Sequence, residues 1–189
     1  PAHTSLMRTG PTLVELLVGF PNVRVIYKPH PFTGTVSAAA AAADAAIRSI
    51  ITRAGESHEI VVGPVPSLYD CFNAADVLIA DISSVLTDFI SSEKPYIVAN
   101  LTGLAEETFR AKFPSVAMAY LLDPAAERIG AILDLIRESD PLAEERRDLK
   151  RYLLGPAEPD AMTRFGLAVD AAYEAAVVMA PVRVAAGRE

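Results

Sequence analysis

One cysteine, Cys71, is the whole thiol content of the chain. That excludes an internal disulfide framework and any all-cysteine zinc site. Cys71 falls in an apparent helix with Tyr69, Phe72 and Ala74, where a free cysteine serves as a small packing residue. The HExxH, CxxC, GxGxxG and GxxxxGK[ST] patterns are missing too, so neither zinc hydrolysis nor a Rossmann dinucleotide or P-loop nucleotide site is supported. No apolar run reaches the roughly 18 to 20 residues that span a bilayer, and the N-terminal residues carry no signal-peptide pattern. Positive charge is scarce. With 17 Lys and Arg against 24 Asp and Glu, the formal net charge is -7 and the pI about 5.0. Broad binding to nucleic acid, which needs a basic face to displace counterions, is therefore not expected. A small local cluster can still hold one phosphorylated ligand.

What is present is enough for a sizeable core: 189 residues, 51% of them hydrophobic, fit one ordinary domain. We expect a single folded unit over residues 1–180 and a frayed tail over Pro181–Glu189. Pro21-Asn22 ends an amphipathic helix pattern over Leu13–Phe20, and the β-branched run Val23–Tyr27 reads as a strand. The alanine-rich stretch from Val36 to Ala54 predicts a helix stopped by Gly55. Glu59–Val62, Val77–Ala80, Pro95–Ala99 and Val116–Leu121 read as further strands. Helices are expected at Ser67–Ala74, after Ser83, at Pro124–Glu138 (apolar face Ile129, Ile132, Leu133, Ile136) and at Asp160–Met179. The charged run Glu144–Arg151 reads as a solvated helical face. Strand and helix alternating at this spacing predict an α/β fold, a Rossmann-like parallel sheet with helices on both faces.

In such sheets ligands bind beyond the carboxyl ends of the strands. The residues there form a coherent set: Lys28 and His30 after the first strand, Gly63 and Pro64 after the second, Asp81, Ser83 and Ser84 after the third, Asn100 after the fourth. In Lys28-Pro29-His30-Pro31 each proline fixes its own φ and pushes the preceding residue towards extended geometry, so His30 sits on a stiff loop. Histidine there can donate to a phosphate oxygen or pass a proton to a leaving phosphate. Ser83 and Ser84 fall at the first turn of a helix, where free N–H groups and the helix dipole favour an anion. Serine is also a favoured cap that needs no ligand. With Ser84 as the cap, the third helical residue is Thr87, so no capping box closes over the free amides. Asp81 suits a ligand hydroxyl or the turn itself, and Asp88 the helix surface. His58 and His3 have no supporting neighbours and read as structural.

Together, a strand ending in KPHP and, some fifty residues later, DVLIADISSVLTDF followed by Lys94-Pro95 and an apolar strand resemble the CDP-glycerol glycerophosphotransferase family, the polymerases and primases of wall teichoic acid synthesis. Asp81, Ser83, Ser84, Asp88, Phe89, Lys94 and Pro95 match that family's pattern, while Ala80 stands where it has threonine and Ile82 where it has tyrosine. The resemblance runs from about Val23 to Ala99. It implies the C-terminal, donor-binding half of a GT-B enzyme, in which the acceptor's terminal hydroxyl attacks the β-phosphorus of CDP-glycerol and CMP leaves. By the same resemblance His30 is catalytic, contacting the pyrophosphate and assisting the departure of CMP. Lys28, Gly63, Asp81, Ser83 and Ser84 are substrate-binding, and neither a metal nor a cofactor is required.

The implied partners are a CDP-glycerol or related CDP-polyol donor and a lipid-linked polymer acceptor, the latter met through an N-terminal domain that also carries the second essential histidine. The implied location is cytoplasmic, peripheral at the inner face of the bacterial membrane in the full-length enzyme. The expectation for this chain by itself is donor binding without turnover. Two other readings stay open: a GT-B glycosyltransferase or nucleotide-sugar epimerase using a UDP or GDP sugar, and a non-catalytic scaffold with a vestigial site.

Overall fold

The computed structural model describes residues 5–63 and 66–179, so Pro64, His3 and the tail expected over Pro181–Glu189 lie outside the described residues. The chain divides at Lys150/Arg151 into two compact units. The first holds α1 (Gly10–Val18), β1 (Ile26–Tyr27), α2 (Ala38–Ala54), β2 (Glu59–Ile60), α3 (Pro66–Ala74), β3 (Leu78–Ala80), α4 (Ser84–Ile90), β4 (Tyr96–Ala99), α5 (Glu106–Lys112), a 3-10 turn at Pro114–Val116, β5 (Tyr120–Leu122) and α6 (Ile129–Glu138). Helix α7 (Ala143–Leu154) runs through the division, and α8 (Ala161–Met179) lies in the second unit. There Asp160 caps α8 by accepting the N–H groups of Met162 and Thr163 and the Thr163 hydroxyl.

The expected α/β architecture is present. All strand pairs are parallel, β1 with β2 in one small sheet and β3-β4-β5 in another. Strand alternation explains the two covered faces. Ile97 and its same-face neighbours Ile79 and Tyr120 join one hydrophobic cluster with Leu13, Val14 and Leu17 of α1, Ile47, Ile50 and Ile51 of α2, and Ile129 and Ile132 of α6. Tyr96 and Val98 point the other way and are equally buried, as are Leu86 and Phe89 of α4, Phe109 of α5 and Val116. On that face Phe89 meets the edge of Phe72 at 5.1 Å between ring centres, and the Tyr96 hydroxyl donates to Ser115 O at 2.9 Å.

Boundaries move where local hydrogen bonds compete with the ladder. Val116 closes the 3-10 turn opened by Pro114, and Arg110 Nη1 takes the carbonyls of Val116 and Ala117 at 3.0 and 2.6 Å, so the last strand begins only at Tyr120. The Asp123 carboxylate accepts the N–H groups of Ala125, Glu127 and Arg128, holding a turn where a helix was expected from Pro124 and delaying α6 to Ile129. The cap before α4 is Ser83 rather than Ser84, with Leu86 as the third helical residue and still no capping box.

The expected solvated face at Glu144–Arg151 is corrected at Arg146, which is 2% exposed. Its guanidinium grips both oxygens of Asp140 and donates through Nε to Glu93 O at 3.1 Å. Tyr120 donates to the same Asp140 carboxylate at 2.8 Å. Both Glu93 (φ 61°) and Asp140 (φ 38°) are non-glycine residues in left-handed backbone. Arg146 thus fixes two turns that would otherwise relax. A helix-surface arginine is here the keystone between α7 and the starts of β4 and β5.

Lys94, part of the KP motif, has an equally local reason. Its ammonium donates to the carbonyls of Phe72, Asn73 and Ala75 at 3.0, 3.1 and 2.8 Å, closing the C-terminal end of α3 where the helix dipole is negative. Pro95 then leads directly into β4. Lys94→Met keeps the apolar stem and orphans three carbonyls, so we expect a loss of about 2 kcal/mol in urea unfolding followed by circular dichroism. Wild-type stability in that variant would remove the capping role.

Candidate functional site

The residues that precede α1 define where the site lies. Ser5 N–H donates to both oxygens of Asp81, after β3, at 2.9 and 3.0 Å. Ser37 Oγ, at the end of the loop after β1, points at Met7 Sδ across 3.9 Å. Arg8 Nη1 donates to Leu101 O, after β4, at 3.4 Å, and the buried Thr9 hydroxyl donates to Pro124 O, after β5, at 2.9 Å. Five consecutive residues span at most about 15 Å. The segment 5–9 therefore laces the carboxyl-end loops of both sheets into one rim.

On one part of that rim Lys28, His30 and Gly63 come together. Lys28 Nζ donates to Gly63 O at 3.1 Å across the parallel β1–β2 pair. Gly63 sits at φ 139°, a conformation that side chains resist, and this turns its carbonyl to the lysine. His30 is exposed, and its Nδ1 accepts the Phe32 N–H at 3.1 Å. In the neutral ring the proton is then on Nε2, which makes no hydrogen bond among the described residues. The Phe32 ring packs on the imidazole with centres 5.5 Å apart. A pocket of about 340 Å³ opens here, lined by Pro29, His30, Pro31, Thr33, Asp44, Arg48, Val62 and Gly63.

Asp44 and Arg48 are the lining residues that sequence reasoning missed. They lie one turn apart on α2 and pair at 2.8 Å, with the Tyr27 hydroxyl donating to Asp44 at 2.9 Å. Burial and the Asp44 carboxylate push the Tyr27 phenol far up, so it stays a donor. The available signal was two opposite charges at i, i+4 inside an otherwise alanine-rich run.

Elsewhere on the rim Asp81, Ser83 and Ser84 share a loop. Ser83 is extended (φ −162°, ψ 175°), makes no side-chain cap bond to α4, and donates to Asp81 O at 3.3 Å. Ser84 Oγ has no hydrogen-bond partner among the described residues, and both serines are exposed. Asp81 is committed to Ser5. No hydrogen bond among the described residues joins Lys28 or His30 to the serine loop; the segment 5–9 connects their neighbourhoods. Asn100 serves its own loop, donating to Leu104 O and accepting from Thr102. Asp88 is exposed on α4. His58 Nδ1 accepts the Val25 N–H at 3.1 Å and so extends the β1–β2 pairing, a structural role. Burial raises the Cys71 thiol pKa, which keeps it the protonated packing group expected.

Parallel strands in two small sheets, packed with helices and with their strand-end loops on one rim, are consistent with the Rossmann-like α/β class of domain, the class that binds its ligands at strand ends. Within that class, the family model for CDP-glycerol:poly(glycerophosphate) glycerophosphotransferase matches residues 20–135, and the chain belongs to this family of transferases. No curated protein and no solved structure matches it. The matched span runs from just before β1 into α6 and contains both the His30 pocket and the serine loop. Among the described residues no helix is long and apolar enough to cross a membrane.

Proposed function

We propose that this domain holds the CDP-polyol donor of a glycerophosphotransferase that extends a teichoic-acid-like polymer. The observation that carries the reading is the His30 ring, pinned through Nδ1 by Phe32 N–H, lining a pocket of about 340 Å³ and left with Nε2 unbonded among the described residues. In the proposed reaction the acceptor hydroxyl oxygen bonds to the β-phosphorus. The bond from that phosphorus to CMP breaks, its electron pair stays on the CMP phosphate, and the hydroxyl proton goes to a base. His30 Nε2–H donates to the pyrophosphate oxygen on which charge builds, an interaction that strengthens towards the transition state. Lys28, at the base of the same loop, adds positive potential. Ser83 and Ser84 give hydroxyl donors, and the first turn of α4 gives amides, for the remaining oxygens.

Calorimetric titration with CDP-glycerol, CDP-ribitol, CMP and UDP-GlcNAc tests the reading. Saturable binding of a CDP-polyol is expected, about tenfold weaker in the Ser83→Ala, Ser84→Ala double variant, as befits lost hydrogen bonds to a charged group. Binding of UDP-GlcNAc alone would transfer the domain to the nucleotide-sugar enzymes. No saturable binding at millimolar ligand would overturn the donor assignment.

A further inference from the structure

A second pocket, of about 400 Å³, lies at the ends of β4 and β5, and its lining includes Arg8, Asn100, Glu106, Asp123 and Arg128. None of its lining residues borders the His30 pocket. The two carboxylates here are already engaged. Glu106 pairs with Arg110 at 2.8 Å, and Asp123 accepts three backbone N–H groups. Burial of Asp123 works the other way, yet those N–H groups hold its carboxyl below the usual range. The two guanidinium groups have no such partner. Arg8 reaches only Leu101 O, at 3.4 Å, and the Arg128 side chain makes no hydrogen bond or ion pair among the described residues. The lining thus holds two guanidinium groups with open N–H donors beside two carboxylates whose oxygens are already taken by other donors.

We infer that this pocket is a second anion site, which takes a phosphodiester of a polyol-phosphate chain through Arg8 and Arg128. Guanidinium forks match the oxygens of a phosphate, and here they come from different elements, the segment before α1 and the residue that caps α6. Both arginines are exposed, so each contact is worth little alone. A polymer with a phosphodiester at every repeat regains affinity because a neighbouring unit rebinds when one lets go. A single small phosphate has no such reserve. The anchoring of the segment 5–9 on both sides of Arg8, through Ser5 and Thr9, fixes the backbone from which that side chain joins the pocket lining. The choice of a polyol-phosphate chain rests on the donor reading above.

The test is calorimetric titration of the whole chain with a synthetic glycerol-phosphate oligomer carrying three phosphodiesters and, separately, with CDP-glycerol. Each titration is repeated on Arg8→Gln/Arg128→Gln and on the double serine variant. Losing two charge-assisted contacts should weaken oligomer binding about tenfold or more and flatten its salt dependence in the arginine variant. CDP-glycerol binding should stay within about twofold there, and oligomer binding within about twofold in the serine variant, because the altered sites are separate and exposed. Unchanged oligomer affinity in the arginine variant, loss of CDP-glycerol binding instead, or no oligomer binding by the wild type at millimolar concentration would each overturn the inference. Oligomer binding in a chain that ignores CDP-glycerol would overturn the donor reading while leaving this site in place.

Discussion

Alanine in place of His30 is expected to weaken CDP-glycerol binding by roughly ten- to a hundredfold, the range for a lost hydrogen bond to a charged group. The ring has two separable jobs, and two further substitutions divide them. Asparagine keeps an acceptor near the Nδ1 position, so it can still take the Phe32 N–H that pins the loop, but it ends short of Nε2. Glutamine carries an amide N–H out to about where Nε2–H lies and gives up the pin. If the proposed donation to the pyrophosphate is the main contribution, affinity should fall in the order wild type, glutamine, asparagine, with asparagine close to alanine. The reverse order, with asparagine near wild type, would mean that His30 only shapes the KPHP loop. The loop should fold in every variant, because Pro29 and Pro31 restrict it and Lys28 ties it to Gly63 independently of the imidazole. Equal melting temperatures would confirm that the affinities report on the ring.

Much of this arrangement was legible in the sequence, and the parts that were not share a cause. Periodicity located every strand and most helices, since burial of one face is written into residue spacing: Ile129, Ile132, Leu133 and Ile136 line the face of α6 that was anticipated. Helix α5 was missed because seven residues with a single buried apolar position, Phe109, carry too little period to read. Its signal was in the charges, Glu106 and Glu107 in the first turn against Arg110 and Lys112 in the last. Strand ends named Lys28, His30, Gly63, Asp81, Ser83 and Ser84, because topology alone fixes which residues follow a strand. Partners could not be named the same way. That Asp81 would meet a backbone N–H at Ser5, 76 residues away, depends on where the segment before α1 meets the loop after β3, and no local pattern encodes it. Arg146 was hidden for a related reason: a charged run looks alike whether its charges face water or one of them turns inward to a carboxylate supplied by a preceding turn.

That inward turn sets the largest stability effect expected in the chain. Asp140→Ala leaves Arg146, 2% exposed, with only the Glu93 carbonyl for its guanidinium, and strips the Tyr120 hydroxyl of its acceptor. Removing one partner of a buried pair costs about 3 to 5 kcal/mol, and the partial exposure of Asp140 (24%) puts this case near 3. Against a typical total of about 5 to 15 kcal/mol, that is a large share. Arg146→Met leaves no buried charge, only a carboxylate that can turn to water, and should cost less. The double variant Asp140→Ala/Arg146→Met should be more stable than Asp140→Ala alone, a result that additive effects cannot produce. The acid limb gives an independent check. Burial raises the Asp140 pKa, but the Arg146 and Tyr120 hydrogen bonds and the Arg146 charge outweigh it and hold the carboxyl below its ordinary value. A depressed folded pKa means the unfolded chain binds the proton more readily. The stabilisation is therefore complete above the ordinary aspartate range and drains away as pH falls through the folded value. Asp123 and Glu93 are lowered as well and act in the same direction, so the comparison must be between variant and wild type. Urea unfolding in small pH steps below 6 should show the wild type losing its advantage over Asp140→Ala as acid is added. A gap that stays constant down to pH 2 would mean that the carboxylate's charge is not what holds Arg146 in place.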